Sequence, residues 1–150
     1  MTDKVVTDKV AKSVKATEIA GLQAALAAEH AAVYGYGVVG AMLKGSAQSH
    51  ARASWTAHQV ARDNLVTMVT KLGATPVAAS PAYRLPFAVT NANLAKELAA
   101  TLEDGVTRAY LAMVAVTDPT LRAFAAQAMQ TSANRAVSWR GTTVAFPGMP

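Results

Sequence analysis

One uninterrupted stretch, residues 22–44, constrains the fold more than any other part of the chain. Its sequence is LQAALAAEHAAVYGYGVVGAMLK. Apolar or small residues recur three and four positions apart, the spacing that places side chains on one face of an α-helix: Leu22, Leu26, Val33, Tyr36 and Gly40. Glu29 is the one charged member of this face. Because a buried carboxylate is costly unless it is paired or bound, the stretch predicts a helix with a polar site at its centre.

The composition favours one all-helical domain. The 150 residues suffice for a single core, and hydrophobic residues make up 52% of them while aromatic residues make up only 6%. Alanine and other good helix formers dominate, and no regular series of short strands is present. The absence of cysteine excludes disulfides, iron–sulfur clusters and thiolate zinc sites.

Charge and hydropathy limit the partners and the location. The net charge of +5 includes no dense basic run with interleaved aromatic residues, so we predict no nucleic-acid binding. Residues 22–43 have the length of a membrane span, about 20 residues. A charge is expensive at the centre of a bilayer, where Glu29 would lie, so no span is predicted. The first residues, MTDKVVTDKVAKSVK, have no apolar core of the signal-peptide type, which predicts a cytoplasmic location.

Helical periodicity predicts four helices within residues 17–150 and a separate tail or short extra helix over residues 1–16. The predicted helices run from near Thr17 to Gly45, from Ser46 to Leu72, from Asn91 or Asn93 to Val116, and from Pro119, capped by Asp118, to Arg140. The tail carries valines four apart at positions 6, 10 and 14, which could form a short amphipathic helix.

Residues 73–92 contain Pro76, Pro81 and Pro86, so no helix continues through them. Twenty extended residues span more than about 60 Å, whereas the second helix is only about 40 Å long. This segment therefore predicts a long crossover between two parallel helices. Together with short links elsewhere, it predicts an all-α, ferritin-like four-helix bundle with up-down-down-up topology.

The glycines at 35, 37 and 40 spell GxGxxG, but no predicted strand precedes them. The dinucleotide-binding motif needs that strand. We therefore interpret the glycines as a small surface that lets another helix approach closely.

Counting from the predicted helix ends places five ionisable residues at one depth of the bundle. Glu29 is level with Arg62 on the second helix, Glu103 is level with Arg135 on the fourth, and His58 lies one turn from Arg62. The predicted polar core layer therefore comprises Glu29, His58, Arg62, Glu103 and Arg135.

Di-iron proteins of the ferritin-like class need a Glu from each of two helices and a Glu-x-x-His pair from each of the other two. Glu29 and Glu103 supply only the first half, because Trp55 stands three residues before His58 and no Asp, Glu or His lies between Pro119 and Arg140. We predict no cofactor, with the two arginines paired to the two glutamates. Three alternatives stay open: the arginines reach the surface, His58 is a hydrogen-bonded core histidine, or Glu103 lies at the surface.

Several runs together resemble a known family over residues 18–150. They are LQAALAAEHAAVYGYGVVGA at 22–41, His58 with RDNL at 62–65, GATPVAASPAYRLPF at 73–87, LEDG at 102–105, and Arg135 with WRG at 139–141. The chain resembles a small actinobacterial ferritin-like family catalogued as a domain of unknown function. The resemblance implies a ferritin-like four-helix bundle and no established activity.

The sequence is compatible with three functions. The first is a non-catalytic structural or interaction protein, acting as a homodimer, with the helical glycines or the crossover residues Tyr83, Leu85 and Phe87 as contact surfaces. The second is a metal-dependent oxidase or iron-handling protein that holds iron or manganese with Glu29, His58 and Glu103. The third is a binder of a small anionic ligand, received by the arginines.

Overall fold

The computed structural model describes residues 2–149, so Met1 and Pro150 lie outside the described residues. Four helices make up the fold: α1 (Thr2–Met42), α2 (Gly45–Lys71), α3 (Ala92–Met113) and α4 (Pro119–Arg140). Residues 2–149 contain no strand, which confirms the predicted all-α class with four helices. Within the same range, no helix is both long enough and apolar enough to cross a membrane.

The predicted helix ends are confirmed where a capping residue marks them. The Asn91 side chain accepts a hydrogen bond from the Leu94 amide at 3.0 Å, and the Asp118 side chain accepts one from the Leu121 amide at 2.8 Å. Pro119 occupies the first turn of α4, and Gly141 ends this helix in a left-handed conformation with φ of 80°. Such caps satisfy backbone groups that the helix itself leaves unpaired.

The first helix begins much earlier than predicted, at Thr2 instead of near Thr17. Residues 2–20 contain no Gly or Pro to stop it. The Thr17 hydroxyl donates back to the Ser13 carbonyl at 3.1 Å instead of capping a new helix. The segment predicted as a tail or separate helix is therefore a continuous extension of α1. At 1.5 Å per residue it reaches about 20 Å beyond the packed part of the bundle.

Contacts fix the relative directions of the helices. The Gln23 amide of α1 bonds both to Thr75 O at 2.7 Å and to Val77 N at 2.8 Å, just after α2 ends, so α1 and α2 are antiparallel. The Glu18 carboxylate of α1 accepts from the Asp118 amide, just after α3 ends, at 3.2 Å, so α1 is antiparallel to α3 as well. The crossover thus joins two helices that run in the same direction.

Two apolar clusters fill the interior, one on each side of a polar layer. The first cluster includes Leu22, Leu26, Leu65, Val69, Val106 and Met113. The second includes Val39, Leu43, Ala95, Leu98 and Ala99, and is covered by Leu85, Phe87 and Val89 of the crossover. The charged residues between the clusters are therefore enclosed by apolar side chains along the bundle axis.

The three glycines of the GxGxxG run, at positions 35, 37 and 40, have different surroundings. A Cβ atom at Gly35 would lie 2.5 Å from the Leu102 side chain of α3, so this glycine permits close packing of α1 on α3. A Cβ at Gly37 or Gly40 would meet nothing within 4 Å. The predicted close approach of another helix is therefore present at Gly35 alone among the three in the described part of the chain.

Candidate functional site

The polar layer is built around His58, whose ring lies between two carboxylates. Its Nδ1 atom is 2.6 Å from Glu29 Oε2, and its Nε2 atom is 3.0 Å from Glu103 Oε1. All three side chains are buried, with at most 1% of each residue exposed. Helices α1, α2 and α3 each supply one member, so the layer ties these three helices together.

Two tyrosines complete the hydrogen bonds of the carboxylates. The Tyr36 hydroxyl donates to Glu103 Oε1 at 2.6 Å, and the Tyr110 hydroxyl donates to Glu29 Oε1 at 2.7 Å. Each tyrosine follows a glutamate by seven residues, Glu29 and Tyr36 on α1, Glu103 and Tyr110 on α3. Because α1 and α3 are antiparallel, each tyrosine reaches the glutamate of the other helix. Our sequence reasoning missed both tyrosines, although the repeated Glu-x₆-Tyr spacing is visible in the chain.

Trp139 connects α4 to the same layer. Its Nε1–H group donates to the Tyr36 hydroxyl at 2.8 Å. The indole also stacks on the exposed His50 ring, with centroids 4.3 Å apart and planes 11° apart. The hydrogen-bonded chain thus runs from Trp139 through Tyr36, Glu103, His58 and Glu29 to Tyr110, and includes residues of all four helices.

The electrostatics favour a charged imidazole. Burial by itself lowers the pKa of His58, but the hydrogen bonds to Glu103 and Glu29 and the charges of both carboxylates outweigh it and raise the pKa from 6.5 to about 9. A protonated ring donates from both nitrogens, which matches one carboxylate at each nitrogen. Burial and then the charge of Glu103 raise the pKa of Tyr36, while burial and then the charge of Glu29 raise that of Tyr110. Both tyrosines are therefore neutral donors at pH 7.

One oxygen of the layer has no partner. Glu103 Oε1 accepts from both Tyr36 and His58, whereas the buried Glu103 Oε2 has no hydrogen-bond partner among residues 2–149. Glu29 differs, because each of its oxygens accepts one bond. The two glutamates therefore occupy similar positions, but only Glu29 has a hydrogen-bond partner among the described residues for each of its oxygens.

The predicted pairing of the two arginines with the glutamates is wrong. Arg62 points to the surface, where its Nε atom is 2.9 Å from Asp63 Oδ1. Arg135 is half-buried on α4 beside Glu29 and Tyr110, but it forms no ion pair with a carboxylate among the described residues. A charged imidazole already lies between the glutamates, and a long arginine side chain can keep its head group hydrated.

Both the sequence and the fold of this chain are similar to those of known proteins. Residues 21–150 match the family described as a domain of unknown function, DUF4439. The chain belongs to the DUF4439 family. It is also similar to the crystal structure of a conserved hypothetical protein from Mycobacterium tuberculosis, with 32% sequence identity and a TM-score of 0.81 over 84% of this chain and 96% of that one. A comparison with curated proteins finds no match.

The layer of this DUF4439 chain does not fit the ligand set of a di-iron centre, which needs four carboxylates and two histidines. The two ring nitrogens of His58 point along different directions, and each faces its own carboxylate. The imidazole therefore separates Glu29 from Glu103, where a metal ion would need their oxygens to converge. Within residues 2–149, no group of three His, Cys, Asp or Glu side chains is arranged to hold a metal ion.

Proposed function

We propose that this DUF4439 chain is a ferritin-like protein without a di-iron centre, whose buried charge network is structural and whose role is to bind other molecules. The observation that carries the proposal is the position of His58 between Glu29 and Glu103. The ferritin-like assignment is supported by α1 running antiparallel to both α2 and α3, with a long crossover between the latter two. That arrangement matches bundles with one long connection.

The imidazolium takes the electrostatic place of a metal ion in this proposal. Two carboxylates in an apolar interior need a nearby positive charge, and the ring of His58 supplies it while donating one hydrogen bond to each. A metal ion that binds a ring nitrogen of His58 would have to displace the proton on that nitrogen and break the hydrogen bond that it donates. Iron or manganese held by Glu29, His58 and Glu103 is the alternative that the experiment below distinguishes.

The binding role includes a homodimer, formed through the extension of α1. Val5, Val6 and Val10 are 67%, 59% and 56% exposed on this extension. Residues 3–13 are exposed and gain no stability from packing within the bundle, and valine is a modest helix former, so packing against a second copy would stabilise the extension. The cytoplasmic location, the absence of nucleic-acid partners and the actinobacterial origin stay predictions.

Metal content is the decisive measurement. We would load the purified protein anaerobically with ferrous iron, desalt it and determine iron by elemental analysis for the wild type, for Glu29→Ala and for Glu97→Ala, an exposed glutamate on α3. We expect far less than one equivalent of iron per chain in all three proteins, and strong destabilisation in Glu29→Ala alone. Retention of one or two equivalents by the wild type and Glu97→Ala, lost in Glu29→Ala, would show a metal centre and overturn the proposal.

A further inference from the structure

A cleft between α2 and α4 opens onto the polar layer. It has a volume of about 210 Å³. Small side chains from both helices, Ala57, Ala61 and Ala128, line it and leave the gap open. Glu29 and Tyr110 also line the cleft, and both are almost completely buried. The cleft therefore joins the buried network to the outside.

The positive charge in this cleft is Arg135. The residue is half-buried, and its guanidinium forms no hydrogen bond or ion pair with a protein group among residues 2–149. The nearby Glu29 carboxylate already accepts hydrogen bonds at both oxygens, from His58 and from Tyr110. All five guanidinium donors of Arg135 thus remain available to a molecule that enters the cleft.

The rest of the lining combines apolar and hydrogen-bonding groups. Ala61, Phe124 and Ala128 form apolar walls, and Gln127, Thr131 and Ser132 offer polar groups on the same helix as Arg135. The volume of about 210 Å³ is below the usual range of about 300–1,000 Å³ for pockets that hold drug-sized ligands. The occupant must therefore be small and partly apolar.

We propose that this cleft binds a small monocarboxylate with a short hydrocarbon chain, held by the guanidinium of Arg135. A planar guanidinium matches a carboxylate with two parallel hydrogen bonds. One arginine balances one negative charge, whereas a doubly charged phosphate would leave a charge uncompensated beside Glu29. The alanines and Phe124 would cover the hydrocarbon chain.

The monocarboxylate specifies the ligand class of the proposed binding role and rests on that role. Arg135 is available to a ligand only while Glu29 is paired with His58 instead of with Arg135. The two proposals nevertheless fail separately. Metal content tests the network, while ligand titration in chelator-treated buffer tests the cleft.

Hexanoate is the probe, with hexanamide as its uncharged counterpart and inorganic phosphate as a second anion. We would titrate each into isotopically labelled full-length protein and follow the backbone and arginine Nε signals by NMR, with calorimetry for affinity. We expect saturable hexanoate binding with shifts centred on Phe124, Gln127, Thr131 and Arg135. Hexanamide should bind at least about tenfold more weakly, because it cannot form a hydrogen bond between two charged groups. Phosphate should also bind at least about tenfold more weakly, because it leaves a charge uncompensated beside Glu29 and has no hydrocarbon chain to bury.

Two variants test the site itself, and one serves as the control. Arg135→Gln should weaken hexanoate binding at least about tenfold, while Arg62→Gln, which removes the same charge from a surface pair with Asp63, should leave it within about twofold. Ala128→Leu should block binding by filling the cleft while keeping Arg135.

Several results would overturn the inference. They are no saturable hexanoate binding by the wild type up to about 10 mM, equal binding of hexanoate and hexanamide, tighter binding of phosphate, or unchanged binding in Arg135→Gln. Shifts confined to residues outside the α2–α4 cleft would do the same.

Discussion

His58 carries the positive charge that holds two buried glutamates in this protein. Its ring contacts Glu29 and Glu103 through opposite nitrogens and stacks on Tyr36 with centroids 5.2 Å apart. Removing one member of a buried ionic group leaves the remaining charges uncompensated, which commonly destabilises a protein by about 3–5 kcal/mol. The layer therefore makes the stability of the fold depend on the protonation of a single side chain.

The first prediction is that stability falls as the pH rises from 6.5 to 9. The pKa of His58 is about 9 in the folded protein and 6.5 in the unfolded chain, so over this interval the folded state binds more protons than the unfolded state. The His58 contribution is fully present below pH 6.5 and is lost as the pH rises through 9. The total loss is on the order of 3 kcal/mol, measurable as the midpoint of urea unfolding between pH 6 and 9.5.

His58→Gln provides the control for this prediction. It keeps a polar side chain but cannot carry a charge, so the pH dependence between 6.5 and 9 should flatten while stability at pH 6 falls. His50→Gln, on the surface, should keep the wild-type profile. A wild-type midpoint that stays constant from pH 6.5 to 9 would contradict a charged His58.

The second prediction compares the same substitution at the two glutamates. Both oxygens of Glu29 accept hydrogen bonds, from His58 and from Tyr110. In Glu29→Gln the amide nitrogen, which is itself a donor, must therefore face one of these two donors. In Glu103→Gln the amide nitrogen can take the place of Oε2, which has no partner. Glu29→Gln should therefore reduce the free energy of unfolding by about 1 kcal/mol more than Glu103→Gln. Urea unfolding of both variants at pH 6 measures this, and equal losses would contradict it.

For single residues, the sequence predicts the level along the bundle axis better than it predicts which side chains are in contact. Counting residues at a constant rise places Glu29, His58 and Glu103 within about one helical turn of each other, and the structure brings these three side chains into hydrogen-bond contact. Counting cannot tell where a long side chain ends, so Arg62 and Arg135 were wrongly paired with the glutamates. The tyrosines were missed because Tyr36 and Tyr110 read as ordinary core residues, and only the repeated spacing from a glutamate distinguishes them.

At the scale of helices, local signals decide what can be predicted. The start of α3 after Asn91 and both ends of α4 are predictable from the sequence because a single capping residue determines each. The crossover was predictable from its prolines. The start of α1 was not, because the first 20 residues contain no breaker and Thr17 can either cap a helix or bond within one.

The third prediction concerns the glycines of α1. Gly37→Ala should stabilise the protein by about 0.5–1 kcal/mol, because alanine favours a helix and its Cβ meets nothing within 4 Å. Gly35→Ala gains the same helix propensity but must displace the Leu102 side chain, which would lie 2.5 Å from the new Cβ. The Gly35 variant should therefore unfold at a lower temperature than the Gly37 variant, as measured by circular dichroism. Equal unfolding temperatures would show that α3 yields without cost.

At the scale of the whole molecule, one hydrogen-bonded chain links all four helices, while the first part of α1 stands outside that arrangement. Every residue from Asp3 to Ser13 is exposed, and the family match begins only at residue 21. The bundle therefore contains its own core and does not need the extension of α1, so the exposed valines of the extension are free to serve assembly.

The fourth prediction is that the full chain is a homodimer joined through this extension. Val6 and Val10 lie four residues apart, on one helix face, and in a symmetric dimer each is buried in both copies. Changing both to threonine keeps the β-branched shape but places four hydroxyls in the interface. The dimer dissociation constant should then rise by at least about tenfold. A tenfold change corresponds to about 1.4 kcal/mol, and each buried methyl group that is lost contributes about half of that free energy.

Sedimentation equilibrium over a range of concentrations measures the dimer dissociation constant. Val60→Thr changes an exposed valine of α2 and is the control that should leave the constant unchanged. A wild-type chain that stays monomeric at about 100 µM would contradict the homodimer, and a double variant that dimerises as tightly as the control would place the dimer interface outside the extension.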